Sequence, residues 1–194
     1  KTCPGSIKAI IKGIIELVDA CKGCYATTGM YNMPNVIAPR VHNKEDWKRK
    51  DWVDNMVKAI FNDELFRWFD SGDCYDLRLA KKIKQVVERT PKTKHWFPTR
   101  QHKFPKFAKV LAEIASLPNA VVRLSSDSIN GGIIAGETTS TIWSTEPPEG
   151  SFECGAYTRG GECKDCRACW DKLVKVIAYP GHGAKMLKVI RLQG

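Results

Sequence analysis

Eight cysteines in two separated groups constrain this chain more than any other feature. They are Cys3, Cys21, Cys24, Cys74, Cys154, Cys163, Cys166 and Cys169. Five of them stand in Cys-x-x-Cys spacings, where two thiolates can point at one metal. An even count also permits disulfides. Against that, no secretory signal is visible, and 194 residues at 43% hydrophobic content are enough to bury a core without covalent staples.

The C-terminal group reads Cys154-x8-Cys163-x2-Cys166-x2-Cys169. Four thiolates complete a tetrahedral Zn site or a closed four-iron cluster. A Zn ribbon usually shows two Cys-x-x-Cys pairs across a longer loop. Three cysteines at successive x2 intervals follow the bacterial-ferredoxin rhythm instead and favour iron–sulfur, with Zn as the alternative. Gly155, Gly160 and Gly161 suit a loop wrapped tightly around a metal.

The N-terminal group reads Cys3-x17-Cys21-Lys22-Gly23-Cys24-Tyr25, one cysteine short of a full set. One reading is a Cys-x-x-Cys pair beside an unrelated Cys3, or a site completed by Cys74 or a histidine. The other is a [4Fe-4S] cluster with one iron left open for a substrate or cofactor, because catalysis needs an open position. Cys74, alone in Ser-Gly-Asp-Cys, reads as a buried thiol.

Lys and Arg number 31 against 21 Asp and Glu, giving a net charge of +10. Such a surface attracts nucleic acid, nucleotides or acidic proteins, although the basic residues are spread along expected helices and also fit an ordinary solvated surface. No apolar run approaches the roughly 20 residues of a membrane helix. A cytoplasmic protein without a membrane partner is therefore expected. The first residue is Lys, so the numbering reads as starting inside a longer product, with an earlier strand outside it.

Ser6 is placed to cap a helix from Ile7 to about Asp19, with Ile7, Ile10, Ile11, Ile14 and Val18 on one face. Gly29 to Pro39 reads as irregular, and a second helix is expected from Lys44 to Asn62. Strand–helix alternation follows: a strand over 65–70, a helix over 75–89, a strand over 94–98, a helix over 104–117 and a strand over 120–124. Units of this length imply parallel strands with right-handed crossovers. The fold class is α/β, a partial (β/α) barrel or open parallel sheet. Residues 1–130 form the core, and 131–194 form an extension with a cysteine-rich metal loop. That extension is expected to hold a short strand near Ile142-Trp143 and a closing strand pair at 174–179 and 186–192.

In a parallel sheet, ligands bind beyond the carboxyl ends of the strands. The expected strands end in Asp70-Ser71-Gly72-Asp73, Thr99-Arg100 and Ser125-Ser126-Asp127. Together these make a polar rim, where Gly72 admits close backbone approach, Asp73 accepts hydrogen bonds and Arg100 grips a carboxylate. Taken singly, each residue also fits helix capping or surface pairing. No HExxH, GxSxG or Walker pattern is present.

Thr2-Cys3-Pro4-Gly5-Ser6, Cys21-Lys22-Gly23-Cys24-Tyr25-Ala26, Phe66 to Asp73 and Trp96-Phe97-Pro98-Thr99-Arg100 resemble a radical-SAM-like bacteriophage family, the gene product 88 group. The resemblance runs from about Thr2 to Ser126, and Cys163 to Trp170 also resembles some phage relatives. Radical SAM enzymes hold a [4Fe-4S] cluster on three cysteines. Its open iron binds S-adenosylmethionine, which reduction cleaves to a hydrogen-abstracting 5′-deoxyadenosyl radical. The resemblance therefore implies Cys3, Cys21 and Cys24 as cluster ligands and Tyr25 near the adenine. It also implies Ser71, Gly72 and Asp73 at the methionine amine, with Arg100 and Ser125 on the same rim. An electron donor is a further implied partner. A second cluster at Cys154, Cys163, Cys166 and Cys169 would be structural or an electron relay.

This chain departs from the usual C-x3-C-x2-C pattern, since its first gap is 17 residues and reads as helical. About three strand–helix units are visible, short of the usual six. The alternative is a non-catalytic iron–sulfur or Zn protein of a phage, acting in the host cytoplasm on a host factor or nucleic acid.

Overall fold

The segment between the first two cysteines is a β-hairpin, not the expected helix: β1 (Ile7–Ile11) pairs antiparallel with β2 (Ile14–Leu17). The isoleucines that match a helical period are also β-branched, and that favours strands. Between them, Lys12 (φ 48°) and Gly13 (φ 79°) both take positive φ, the signature of a two-residue hairpin turn. Cys21 follows in α1 (Asp19–Lys22). The computed structural model describes residues 3–192, and Thr2 of the first motif lies outside them.

The single helix expected over 44–62 is two, α2 (Pro34–Asp46) and α3 (Trp52–Ile60). The break falls where Lys48-Arg49-Lys50-Asp51 offers no apolar face. There Arg49 folds back onto the carboxylates of Asp46 (2.6 Å) and Asp51 (2.7 Å). α2 starts inside the stretch expected to be irregular, because Pro34 opens its first turn, where a missing N–H costs nothing.

β3 (Leu65–Arg67), α4 (Leu77–Arg89), β4 (Lys94–Thr99), α5 (Pro105–Ser116) and β5 (Ala120–Ile129) follow the expected alternation. Asp76 caps α4 by accepting from the Arg78 N–H at 2.8 Å. β6 (Thr139–Trp143), β7 (Phe152–Glu153) and β8 (Val176–Pro180) continue the same sheet. Among the described residues this sheet has six parallel strands in the order β3-β4-β5-β6-β8-β7, curled into a half-barrel. The expected last strand at 186–192 is instead α6 (Ala184–Arg191). Ala, Lys, Met and Leu dominate its first turns, and Gly183 at φ 80° separates it from β8. No described helix is long and apolar enough to cross a membrane.

The two faces of the sheet differ in chemistry. The outer face carries Phe97, Ala120 and Val122, packed with Ile83, Val86 and Val87 of α4 and Phe107 and Ile114 of α5. The inner face carries Trp96, Val121 and Arg123, all buried, with the 154–170 segment packed over Trp96 and Ile177. Cys74 lies in the outer core, its thiol 3.6 Å from the Asp76 carbonyl.

His95, on the outer face, is fully buried beside Trp68 and bonded to the Thr90 hydroxyl at 2.9 Å. Burial pushes its pKa down to about 4, so the folded ring is neutral. The unfolded ring titrates near 6.5. Stability is therefore complete above that value and falls as pH drops toward 4, by about 3 kcal/mol. His95→Gln is expected to remove this component of the pH dependence of the urea midpoint. A midpoint that falls just as steeply in the variant would contradict the assignment.

Candidate metal centres

The hairpin brings the N-terminal cysteines together. Its base is closed by the Val18 N–H, which donates to the Ser6 carbonyl at 3.0 Å, so the chain leaving Cys3 returns to the same place before Cys21. Cys3 opens a tight 3-10 turn (Pro4–Ser6), its carbonyl accepting from the Ser6 hydroxyl at 2.7 Å. On the other side, Cys21 N–H donates to the Val18 carbonyl (2.8 Å), and Cys24 N–H donates to the Cys21 carbonyl (3.2 Å). The 17-residue gap is thus long in sequence and short in space.

Two glycines seat this unit on the sheet. A Cβ on Gly5 would lie 2.6 Å from the Arg100 Cβ, so only glycine lets the Cys3 turn lie against the end of β4. A Cβ on Gly23 would lie 2.5 Å from the Met186 Cα, so the Cys21–Cys24 loop is in close contact with α6. Lys103 adds a bond from its ammonium to the Gly5 carbonyl at 3.1 Å.

Burial pushes the Cys3 thiol up to about 12, reinforced by Asp73 and by the thiols of Cys24 and Cys21, and opposed by Arg100. Burial likewise raises the Cys21 thiol, with Arg100 and Lys103 opposing. The three sulfurs therefore share one electrostatic neighbourhood, with cations at its edge. Among the described residues, no three His, Cys, Asp or Glu side chains converge closely enough to hold a metal ion. In a four-iron cluster each thiolate bonds a different iron, which asks for a wider set than one ion does. Three gathered thiols near two cations have the donor chemistry for an anionic iron–sulfur group.

Of the expected rim residues, Asp73 is buried and fully engaged. It accepts from the Thr99 hydroxyl (2.8 Å), the Arg100 N–H (2.8 Å) and the Cys74 N–H (2.7 Å), tying the ends of β3 and β4 together. Arg100 donates to the Ser126 carbonyl at 2.7 Å and pairs with Asp127 at 3.4 Å. Ser71 and Gly72 lie between β3 and α4, partly exposed, with Gly72 at φ 89°. Ser125, on β5, lies 3.5 Å from the Ser140 hydroxyl. Tyr25, directly after Cys24, donates to the Asp70 carbonyl at 2.5 Å and packs edge-on against Tyr31 at 5.2 Å. Arg67 acts electrostatically on Tyr25, and Tyr31 donates to the Asp70 carboxylate at 2.8 Å.

Sequence reasoning placed Asp127 on the rim only as part of a strand end, and it missed the roles of Tyr31, Arg67, Gln101 and Lys103. Gln101 is fully buried, and its side-chain amide lies close enough to the Asp73 carboxylate to favour its charged form. Its place just after Arg100 at a strand end was the one available signal.

The C-terminal cysteines lie on the inner face. Cys169 is buried, Cys154 and Cys166 are partly buried and packed with it, and Cys163 is exposed. The Cys154 N–H donates to Ala178 of β8 (2.8 Å), and the Cys166 N–H closes a turn on the Cys163 carbonyl (2.9 Å). Burial raises the Cys169 thiol to about 11, and Cys154 and Cys163 add to the rise. A contact to the Tyr179 hydroxyl at 3.4 Å opposes it.

No curated protein and no solved structure shows significant similarity to the chain. The model of one family, Gene product 88, matches residues 1–172. That span includes the hairpin, the polar rim and both cysteine groups. The chain therefore belongs to the Gene product 88 family, a family of phage proteins.

Proposed function

We propose that this protein is an iron–sulfur protein of the radical SAM type. In this reading Cys3, Cys21 and Cys24 hold a [4Fe-4S] cluster with an open iron, and Cys154, Cys163, Cys166 and Cys169 hold a second metal centre. The observation that carries the reading is the hairpin, which makes neighbours of three cysteines separated by an unusual gap. When bound, such a cluster supplies the electron that cleaves S-adenosylmethionine reductively.

The chain's own groups supply the rest. Arg100 and Lys103 place positive charge beside Cys21 and favour its thiolate form. Asp73 adds negative charge near Cys3 and opposes its ionisation, so what it supplies is order at the rim. Its three accepted hydrogen bonds fix Arg100 and the β3–β4 rim. Ser71 and the glycine backbone at 72 remain partly open at the strand ends, where a polar ligand can approach. Tyr25 offers a half-exposed ring next to Cys24, suited to packing against an adenine.

Anaerobic purification with counts of iron and sulfide tests the proposal. Cys24→Ala is expected to lose the N-terminal iron and all binding of S-adenosylmethionine, while the C-terminal group keeps its metal. Retained binding in that variant would refute the ligand assignment. Asp73→Asn puts an amide N–H among donors that need an acceptor. It is expected to cost about 1–3 kcal/mol in urea denaturation and to weaken S-adenosylmethionine binding. If both stability and binding stay at wild-type values, the rim is not organised by Asp73.

A further inference from the structure

The inner face of the sheet contains a buried charge that forms no ion pair among the described residues. Arg123 is fully buried in the middle of β5. Its Nε donates to the Cys169 carbonyl (3.0 Å) and its Nη1 to Val174 (2.9 Å). Its Nη2 donates to both Ala168 (2.8 Å) and Asp171 (2.8 Å). All four acceptors are main-chain carbonyls of residues 168–174, the segment that carries the last cysteine. The Asp171 carboxylate is close enough to act on Arg123. However, Asp171 is exposed, its Oδ1 accepts from the Leu173 N–H at 2.8 Å, and it forms no ion pair with the guanidinium.

Four carbonyls solvate a guanidinium but do not neutralise it, and arginine does not shed its proton to escape burial. A buried guanidinium met mainly by carbonyl dipoles favours further negative charge close by. The buried groups of opposite potential sign beside it are the Cys169 thiol and the Tyr179 hydroxyl. Cys169 in turn lies with Cys154 and Cys166 and feels Cys163. Four thiolates around a divalent metal, or around a four-iron core, carry net negative charge. That charge would fall on the inner face, where the guanidinium already sits.

We infer that Arg123 is the fixed countercharge and loop anchor of an anionic metal–tetrathiolate centre at Cys154, Cys163, Cys166 and Cys169. This rests on the C-terminal half of the reading above. The fork of N–H groups reaches four carbonyls at once and fixes the path of residues 168–174 before any metal arrives. Lysine would keep the charge but not span the carbonyls. Arg123 is thus a positioning residue, as is Tyr179, whose hydroxyl contacts the Cys169 sulfur.

Cobalt(II) titration of the full chain tests this, in a background with Cys3, Cys21 and Cys24 replaced by Ser so that only the C-terminal group can bind. The parent is expected to show the thiolate-to-cobalt charge-transfer band of four-sulfur coordination. Arg123→Met should weaken cobalt affinity by about 10–100-fold, the usual range for losing an outer-shell partner. Arg123→Lys should recover part of that loss, and Tyr179→Phe should have a smaller effect. If the parent binds no cobalt through sulfur, the C-terminal metal reading itself fails. If the parent binds and both Arg123 variants bind equally well, the role given to Arg123 is wrong. Should Arg123→Met fail to fold, Arg123→Lys decides alone, and an unchanged affinity overturns the inference.

Discussion

The bond from the Val18 N–H to the Ser6 carbonyl closes the base of the hairpin, and the N-terminal site depends on that closure. Without it, Cys3 and Cys21 would be the ends of a flexible loop, and bringing them together would cost conformational entropy. Antiparallel pairing from Ile7↔Leu17 to Ile11↔Ile14 meets that cost within the fold. The remaining contacts then have only to dock a preformed unit: Gly5 on Arg100, Gly23 on Met186, and Lys103 on the Gly5 carbonyl. The docking point is the carboxyl end of β4, where an α/β sheet ordinarily presents its ligand site.

The half-barrel separates two kinds of stabilisation. Its outer face is an ordinary apolar core, in which alternate residues of β4 and β5 meet α4 and α5. Its inner face is closed by the 154–174 loop. That loop is held by Arg123, by packing of Trp96 on Trp170 at 5.3 Å, and by the bond from Trp170 Nε1 to the Phe66 carbonyl at 3.1 Å. Ala168, Cys169, Trp170 and Val174 of the same loop complete a small apolar cluster with Trp96 and Ile177.

Much of the fold was legible because local signals agreed. In α4, Leu79, Ile83, Val86 and Val87 recur at helical spacing, and Thr90-Pro91 stops the run, so sequence and structure coincide there. The hairpin was not legible by period alone, since Ile7, Ile10, Ile11 and Ile14 satisfy a helical repeat as well as a pair of strands. The β-branched composition and the Lys12-Gly13 turn were the better guide. α6 was misread because Met186 to Leu192 is apolar and short, which periodicity cannot resolve. At the site, the cysteine groups and Asp73 could be named from spacing and strand ends. The engagement of Asp73 with three donors, and the reach of Arg123 to a loop more than forty residues away, depend on tertiary contacts that no local pattern encodes.

In the proposed reading, folding gathers Cys3, Cys21 and Cys24 into a three-thiolate site that leaves one iron of a four-iron cluster open. Mössbauer spectroscopy of anaerobically purified, iron-isotope-enriched protein tests it most directly. The expected result is a four-iron cluster in which one iron changes its signal when S-adenosylmethionine is added. An iron-free protein, or a cluster spectrum indifferent to S-adenosylmethionine, would contradict it.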